Sequence, residues 1–193
     1  TLSVNADAAL GAVPASATPG LIVLSNGTLR ATATSTMNPA RGILLATGTS
    51  NVLDNTSAGT LMTYKGAIEG AGSLTVTGAG GWDLGGASTY TGGTMLEGGL
   101  VAVGSSSAGT AGDPASGPFG AGTAAVVLSG SQLRATTAYG VPDVTVGNAL
   151  IIETNTTFAS GTAGAYSDKN LTFTGPATLA ASVTLTVNTT PAT

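Results

Sequence analysis

Nine carboxylates stand in this chain with neither a histidine nor a cysteine to work beside them. They are Asp7, Asp54, Glu69, Asp83, Glu97, Asp113, Asp143, Glu153 and Asp168. Cleavage of a glycosidic bond needs two facing carboxyl groups, or a carboxylate cluster with a basic residue. In a repeating chain such a pair recurs at one place in successive repeats. The spacing from Asp83 to Glu97 fits no obvious repeat register. The acids therefore read as turn charges that maintain solubility. With no His base and no Cys nucleophile, the chain is not expected to be an enzyme, and no catalytic residue is assigned.

The stretch GAGGWDLGG, 78–86, invites a calcium reading, because stacked nonapeptide turns of the form G-G-x-G-x-D-x-U-x hold Ca²⁺. Here Ala79 replaces a glycine and Gly85 sits where the apolar residue belongs. Only one copy exists, and such a site needs several to gather enough oxygens. The plainer reading is a glycine turn with Trp82 packed on a neighbouring repeat. Neither a metal nor a cofactor is expected.

Three polar motifs have both a binding and a structural reading. Tyr90 with Thr91-Gly92-Gly93-Thr94 could contact a sugar or a protein partner, or could fill a corner while the glycines turn the chain. Arg30 and Arg134 lie in matching stretches and could form a spaced pair of carboxylate contacts, or could each cover a turn with an apolar stem. Five N-x-S/T triplets begin at Asn26, Asn55, Asn155, Asn170 and Asn188. They read as turn supports through side-chain hydrogen bonds. In each case the structural reading is favoured, because repeats duplicate stacking residues by default.

These residues need elements to hold them, and composition says which. Only 7% of the 193 residues are charged and 30 are glycine. Average chains carry about 25% charge. Mean hydropathy is +0.36, yet no apolar run approaches the roughly 18 residues of a membrane-spanning helix. The apolar residues come in short runs rich in Val, Ile, Leu and Thr: GLIVL at 20–24, GILLA at 42–46, AAVVL at 124–128 and ALII at 149–152. Such runs suit strands in a narrow core. Glycine at this density opposes helix. The five basic residues, Arg30, Arg41, Lys65, Arg134 and Lys169, are dispersed, so no nucleic-acid partner is expected.

The chain also repeats. LIVLSNGTLRAT at 21–32 returns as AVVLSGSQLRAT at 125–136, so that Leu29-Arg30-Ala31-Thr32 matches Leu133-Arg134-Ala135-Thr136. Short strands with glycine corners and self-similarity predict an all-β parallel solenoid, one domain over 1–193. It would hold two degenerate copies, about 1–104 and 105–193, and roughly nine turns at about 20–29 residues each. SSSAGTAGDPASGPFGAG, 105–122, is expected to leave the stack as a loop. Leu24, Leu29, Leu44, Leu74, Val76, Leu128, Leu133, Ile151 and Leu171 are expected to point inward.

GGASTYTGGTMLEGGLVAVG, 85–104, resembles the autotransporter-associated β-strand repeat of bacterial passenger domains. The matching residues are Ser88-Thr89-Tyr90-Thr91-Gly92-Gly93-Thr94, Gly98-Gly99 and Leu100-Val101-Ala102-Val103-Gly104. The stretches at 6–14, 26–32, 38–45 and 63–80 also resemble that family, so the likeness covers about residues 1–136. It implies a right-handed parallel β-helix, secreted or held at a bacterial cell surface, with no shared catalytic residues. No translocator barrel is contained in these 193 residues.

The expected function is therefore structural: a stalk or a filament subunit that assembles end to end. Neither end of the sequence shows an obvious polar cap, so head-to-tail self-association, or a flanking solenoid of the same polypeptide, is the expected partnership. The alternative is an adhesin passenger that binds glycan or host protein through a lateral face; a carbohydrate-active enzyme is more distant. Membrane insertion by this chain is not expected. A first residue of Thr rather than Met suggests a processed product or a piece of a longer protein.

Overall fold

The computed structural model describes residues 1–136, 143–159 and 170–188. The chain winds as a parallel β-solenoid of about seven turns. An eight-stranded first sheet runs Leu2–Val4, Thr28–Ala31, Ser50–Asn55, Ser73–Gly78, Thr94–Glu97, Val126–Ser129, Leu150–Ile152 and Ala177–Leu179. A seven-stranded second sheet runs Ser35–Met37, Leu61–Tyr64, Gly81–Leu84, Leu100–Val103, Gln132–Ala135, Thr156–Ala159 and Leu185–Asn188. The third face begins with Thr18–Leu24, Arg41–Leu45 and Ile68–Gly70, and Val144–Val146 pairs with Leu171–Phe173 at the same place in later turns. Between them the third face has no parallel strand pair among the described residues and is held by Thr91 N–H to the Gly70 carbonyl at 3.0 Å and Ala121 N–H to the Tyr90 carbonyl at 2.9 Å.

Alternation along each strand sends every second side chain inward, and the parallel register stacks these into columns. One column of the first sheet is Leu29, Leu53, Val76, Leu96, Leu128 and Ile152, all buried. A column of the second sheet is Met62, Trp82, Val101 and Leu133, all buried. The third face contributes Ile22, Ile43 and Ile68. Each fully buried aliphatic side chain is worth about 1.5–3 kcal/mol. Stability is therefore distributed along the stack, turn upon turn.

Two expectations are corrected. The turns number about seven rather than nine, because several are long. Val76 pairs with Leu96 and Leu96 with Leu128, and the second step takes up far more chain than the first. The long turn contains an antiparallel hairpin, Ala108–Thr110 with Asp113–Ser116. Leu44 and Ile151 face outward; their neighbours Ile43, Leu45, Leu150 and Ile152 are the buried ones. Runs such as GILLA and ALII are apolar at every position, so the sequence leaves their parity open, and a slip of one residue exchanges the faces. Leu24, Leu29, Leu74, Val76, Leu128 and Leu133 are buried and Leu171 is partly buried against the core, as expected.

The two copies of the LRAT stretch lie on different pairs of sheets. Residues 21–32 turn from the third face into the first sheet, whereas 125–136 turn from the first sheet into the second. What they share is a strand, a tight corner and a strand.

At the first-residue end, a 3₁₀ turn, Asp7–Leu10, lies over the edge strand Ser35–Met37. Arg41 holds it there. The buried Arg41 guanidinium donates to both Asp7 carboxylate oxygens, at 2.8 and 3.2 Å, and to the Leu10, Gly11 and Ala12 carbonyls at 3.1, 2.7 and 3.3 Å. Asp7 also accepts the Asn38 N–H at 2.9 Å. The arginine keeps the Asp7 carboxyl below the usual range.

Candidate functional site

Tyr90 is a packing residue. Its side chain is fully buried and its hydroxyl lies 2.6 Å from Thr94 Oγ1, which donates to the Phe119 carbonyl at 3.2 Å. Burial raises its pKa well above the usual phenol value. The two glycines of this motif do separate work. Gly93 has φ +85°, in the region that favours glycine, while a Cβ on Gly92 would press into the backbone of Gly72 one turn away.

Three of the five triplet asparagines, Asn26, Asn55 and Asn155, brace the winding with side-chain hydrogen bonds. Asn55 is buried, donates to the Gly81 carbonyl at 2.8 Å and accepts from Thr60 Oγ1 at 2.9 Å. Asn26, at φ 51°, accepts the Ser50 N–H at 3.1 Å, and Asn155 accepts the Thr184 N–H at 2.8 Å. Asp168 and Lys169 lie outside the described residues, as does the side chain of Asn188.

The two matched arginines are not a pair on one face. Arg30, on the first sheet, donates to Asp54 of the next turn at 2.7 Å. Arg134, on the second sheet, belongs to an outward-facing column of Thr63, Asp83, Ala102 and Arg134. Asp83 is therefore two strand spacings, about 10 Å, from Arg134 along the ladder, with only the small Ala102 between them.

Asp83 is the most unusual titratable group among the described residues. It faces away from the core, yet it is 1% exposed, and Ala102 beside it is 0% exposed. The Thr136 hydroxyl donates to it at 3.3 Å. Burial pushes its pKa up to about 6, against the downward pull of the Thr136 hydrogen bond and the Arg134 and Lys65 charges. Sequence reasoning compared Asp83 with Glu97 and missed this cluster. The one available signal was a carboxylate set between two bulky apolar residues in GWDL.

Among the described residues, no three Asp or Glu side chains come together in a way that could hold a metal ion. Trp82 of the glycine-rich stretch points into the core. The column of Thr63, Asp83, Ala102 and Arg134 sets no second carboxylate against Asp83. Among the described residues the arrangement is a buried polar cluster around Asp83.

Among the described residues, the large aromatic side chains lie in the core or pack against it. Tyr64, Trp82, Tyr90 and Phe119 are all buried. The exposed large apolar side chains among the described residues are Leu2, Val13, Leu21 and Val23 near one end and Leu179, Leu185 and Val187 at the other. Leu179 extends the column of Ile152, and Val187 that of Phe158, so both stand in core columns.

The architecture defines the class: an all-β parallel β-solenoid. Among curated proteins the chain is similar to the Adhesin BmaC autotransporter of Brucella suis biovar 1 (strain 1330), with 37% identity over 90 residues. That stretch is 47% of this chain and 3% of the Brucella protein, so the chain spans only a small part of its relative. No family model and no solved structure matches the chain.

Proposed function

We propose that this chain is a stalk-forming segment of a bacterial cell-surface passenger, working as a rigid spacer whose ends join further solenoid turns. The observation that carries this is that Leu2 at one end and Leu179, Leu185 and Val187 at the other lie on inward-facing columns and yet are exposed. Apolar surface gathered in one place marks a contact, whereas single residues scattered over a flank do not. The flanks show the Arg30–Asp54 pair and outward-facing residues such as Met95 and Val127 that are partly covered by their neighbours. Similarity to an autotransporter adhesin supports a surface location and a passenger role. In this reading the chain is not an enzyme. Contact with other solenoid polypeptide, either a copy of this chain or adjoining turns, is its partnership.

A second reading follows the relative's name. The hairpin Ala108–Ser116 stands on the third face with mostly exposed residues and would serve as the lateral contact of an adhesin.

The test compares ends with flanks. Self-association is followed by sedimentation and negative-stain microscopy for the parent chain, for Leu179→Lys with Val187→Lys, and for Met95→Lys with Val127→Lys. End-to-end rods are expected from the parent and the flank variant and not from the end variant. Rods lost only in the flank variant would move the contact to the side of the solenoid.

A further inference from the structure

The corner joining Thr18–Leu24 to Thr28–Ala31 is Ser25-Asn26-Gly27, and Asn26 is the one asparagine of the chain that a glycine follows. The fold does not call for that glycine. The left-handed place in the corner belongs to Asn26, at φ 51°, and Gly27 has no positive φ. A Cβ on Gly27 would meet Leu24 and the Ser25 nitrogen at ordinary contact distances of 3.6 Å or more. The matched corner Ser129-Gly130-Ser131-Gln132 has the residues the other way round: Gly130 takes the left-handed place at φ 80° and Ser131 follows it. A side chain is therefore compatible with position 27. The close approach of turns that accounts for Gly92 does not account for Gly27.

We infer that Asn26-Gly27 is a self-modification site: in the folded protein the Gly27 nitrogen closes on the Asn26 side-chain carbonyl carbon, and the amide is exchanged for a carboxylate with loss of ammonia. Water is the only co-reactant. The Gly27 N–H gives its proton to hydroxide, the bond from Gly27 N to Asn26 Cγ forms, and the Cγ–Nδ2 bond breaks as Nδ2 takes a proton and leaves as ammonia. Water then opens the cyclic imide. Opening at Cγ yields aspartate, and opening at the backbone carbonyl yields its β-linked isomer.

The corner favours this closure in several ways. Gly27 has no Cβ to obstruct the approach. Asn26 Oδ1, on which negative charge develops, already accepts the Ser50 N–H at 3.1 Å, a backbone donor fixed by the next turn. The Gly27 N–H donates to a side chain rather than a strand, Asn51 Oδ1, at the long distance of 3.4 Å, so the proton that has to leave is weakly held. Asn26 is exposed, and solvent reaches it. Other asparagines lack this combination. Asn51 and Asn55 are buried and precede the β-branched Val52 and Thr56. Asn38 precedes Pro39, which has no N–H to ionise. The product alters the contact between two turns. Aspartate keeps an acceptor for Ser50 and adds a negative charge to a chain of net charge −4. The β-linked isomer lengthens the backbone just before Thr28 enters its ladder with Val52. The corner thus carries a chemical record of time elapsed since folding, whether or not the chain is a spacer.

The experiment incubates the folded 193-residue chain at neutral and mildly alkaline pH, beside the same chain unfolded in guanidinium chloride. Released ammonia, isoaspartyl content and a mass gain of about 1 Da in the peptide holding residue 26 are followed with time. Folded parent is expected to convert at Asn26 as fast as the unfolded chain, ahead of every other asparagine, and faster at the higher pH. Gly27→Ala is expected to melt like the parent and to convert about tenfold more slowly, because its methyl group displaces the attacking nitrogen. The inference is overturned if Asn26 keeps its amide in the folded chain while converting in guanidinium chloride, a comparison that needs no variant. It is overturned equally if folded Gly27→Ala converts as fast as the parent.

Discussion

Asp83→Asn should make this protein more stable at neutral pH, although it removes a charge that lies near Arg134 and Lys65. Asp83 is 1% exposed and its pKa is raised from 3.8 to about 6. That value already includes the attraction of both cations, so the net preference of the folded state is for the neutral acid. Two pKa units correspond to about 3 kcal/mol. The folded chain keeps this proton between about pH 4 and pH 6, where the unfolded chain has released it. The contribution is therefore fully present below the unfolded value near pH 4 and is lost as pH rises through 6. Asparagine mimics the neutral form at every pH. Urea unfolding followed by circular dichroism at pH 4, 5, 6, 7 and 8 measures it. The parent should lose about 2–3 kcal/mol across this range while the variant stays level in that window, ending more stable by the same amount. At about 2–4 °C per kcal/mol, the melting temperature at pH 7.5 should rise by about 4–12 °C. Parallel pH curves for the two proteins would refute the reasoning, because Asp83 would then titrate alike in both states.

Other outcomes follow from the same structure. Leu29→Ala and Leu133→Ala, each at a fully buried column position, should each cost about 2–5 kcal/mol in chemical unfolding; no change in either would mean that the columns are misregistered. Arg41→Ala leaves Asp7 and several carbonyls without their donor and should cost about 3–5 kcal/mol. Asp7→Asn should remove the part of the stability that the parent loses on acidification: the Asp7 pKa is lowered in the folded state, so its contribution is present above about pH 4 and vanishes below. Gly92→Ala should lower the melting temperature more than Thr91→Ala, since only the first drives a Cβ into the Gly72 backbone; equal effects would show that close approach of the turns is not what the glycine serves.

The solenoid was readable because its local rules are simple. Short β-branched runs, glycine corners and the Tyr90–Thr94 corner motif each declare themselves within a few residues. Turn count and facing were less readable. Nothing in GILLA says whether Ile43 or Leu44 points inward, and that parity comes from the columns of neighbouring turns. The Asp83 cluster was hidden for the same reason. Asp83 and Thr136 are far apart in the chain, and turns as unequal as Val76-to-Leu96 and Leu96-to-Leu128 leave no fixed spacing that brings such partners into register. The Arg30 and Arg134 match was visible as sequence but carried no information about face, since one strand–corner–strand unit fits more than one corner of the winding.

The uneven turns have a consequence for reach. A turn adds one strand spacing, about 4.8 Å, whether it is the short one from Val76 to Leu96 or the long one from Leu96 to Leu128. Seven such steps give a height of about 34 Å. The molecule is thus a ruler graduated in turns, indifferent to residue number. Inserting residues at the 108–116 hairpin broadens it without lengthening it, whereas removing one plain turn shortens it by a whole graduation. Proteins built this way can diversify their sides freely while neighbours on one surface still end at the same height.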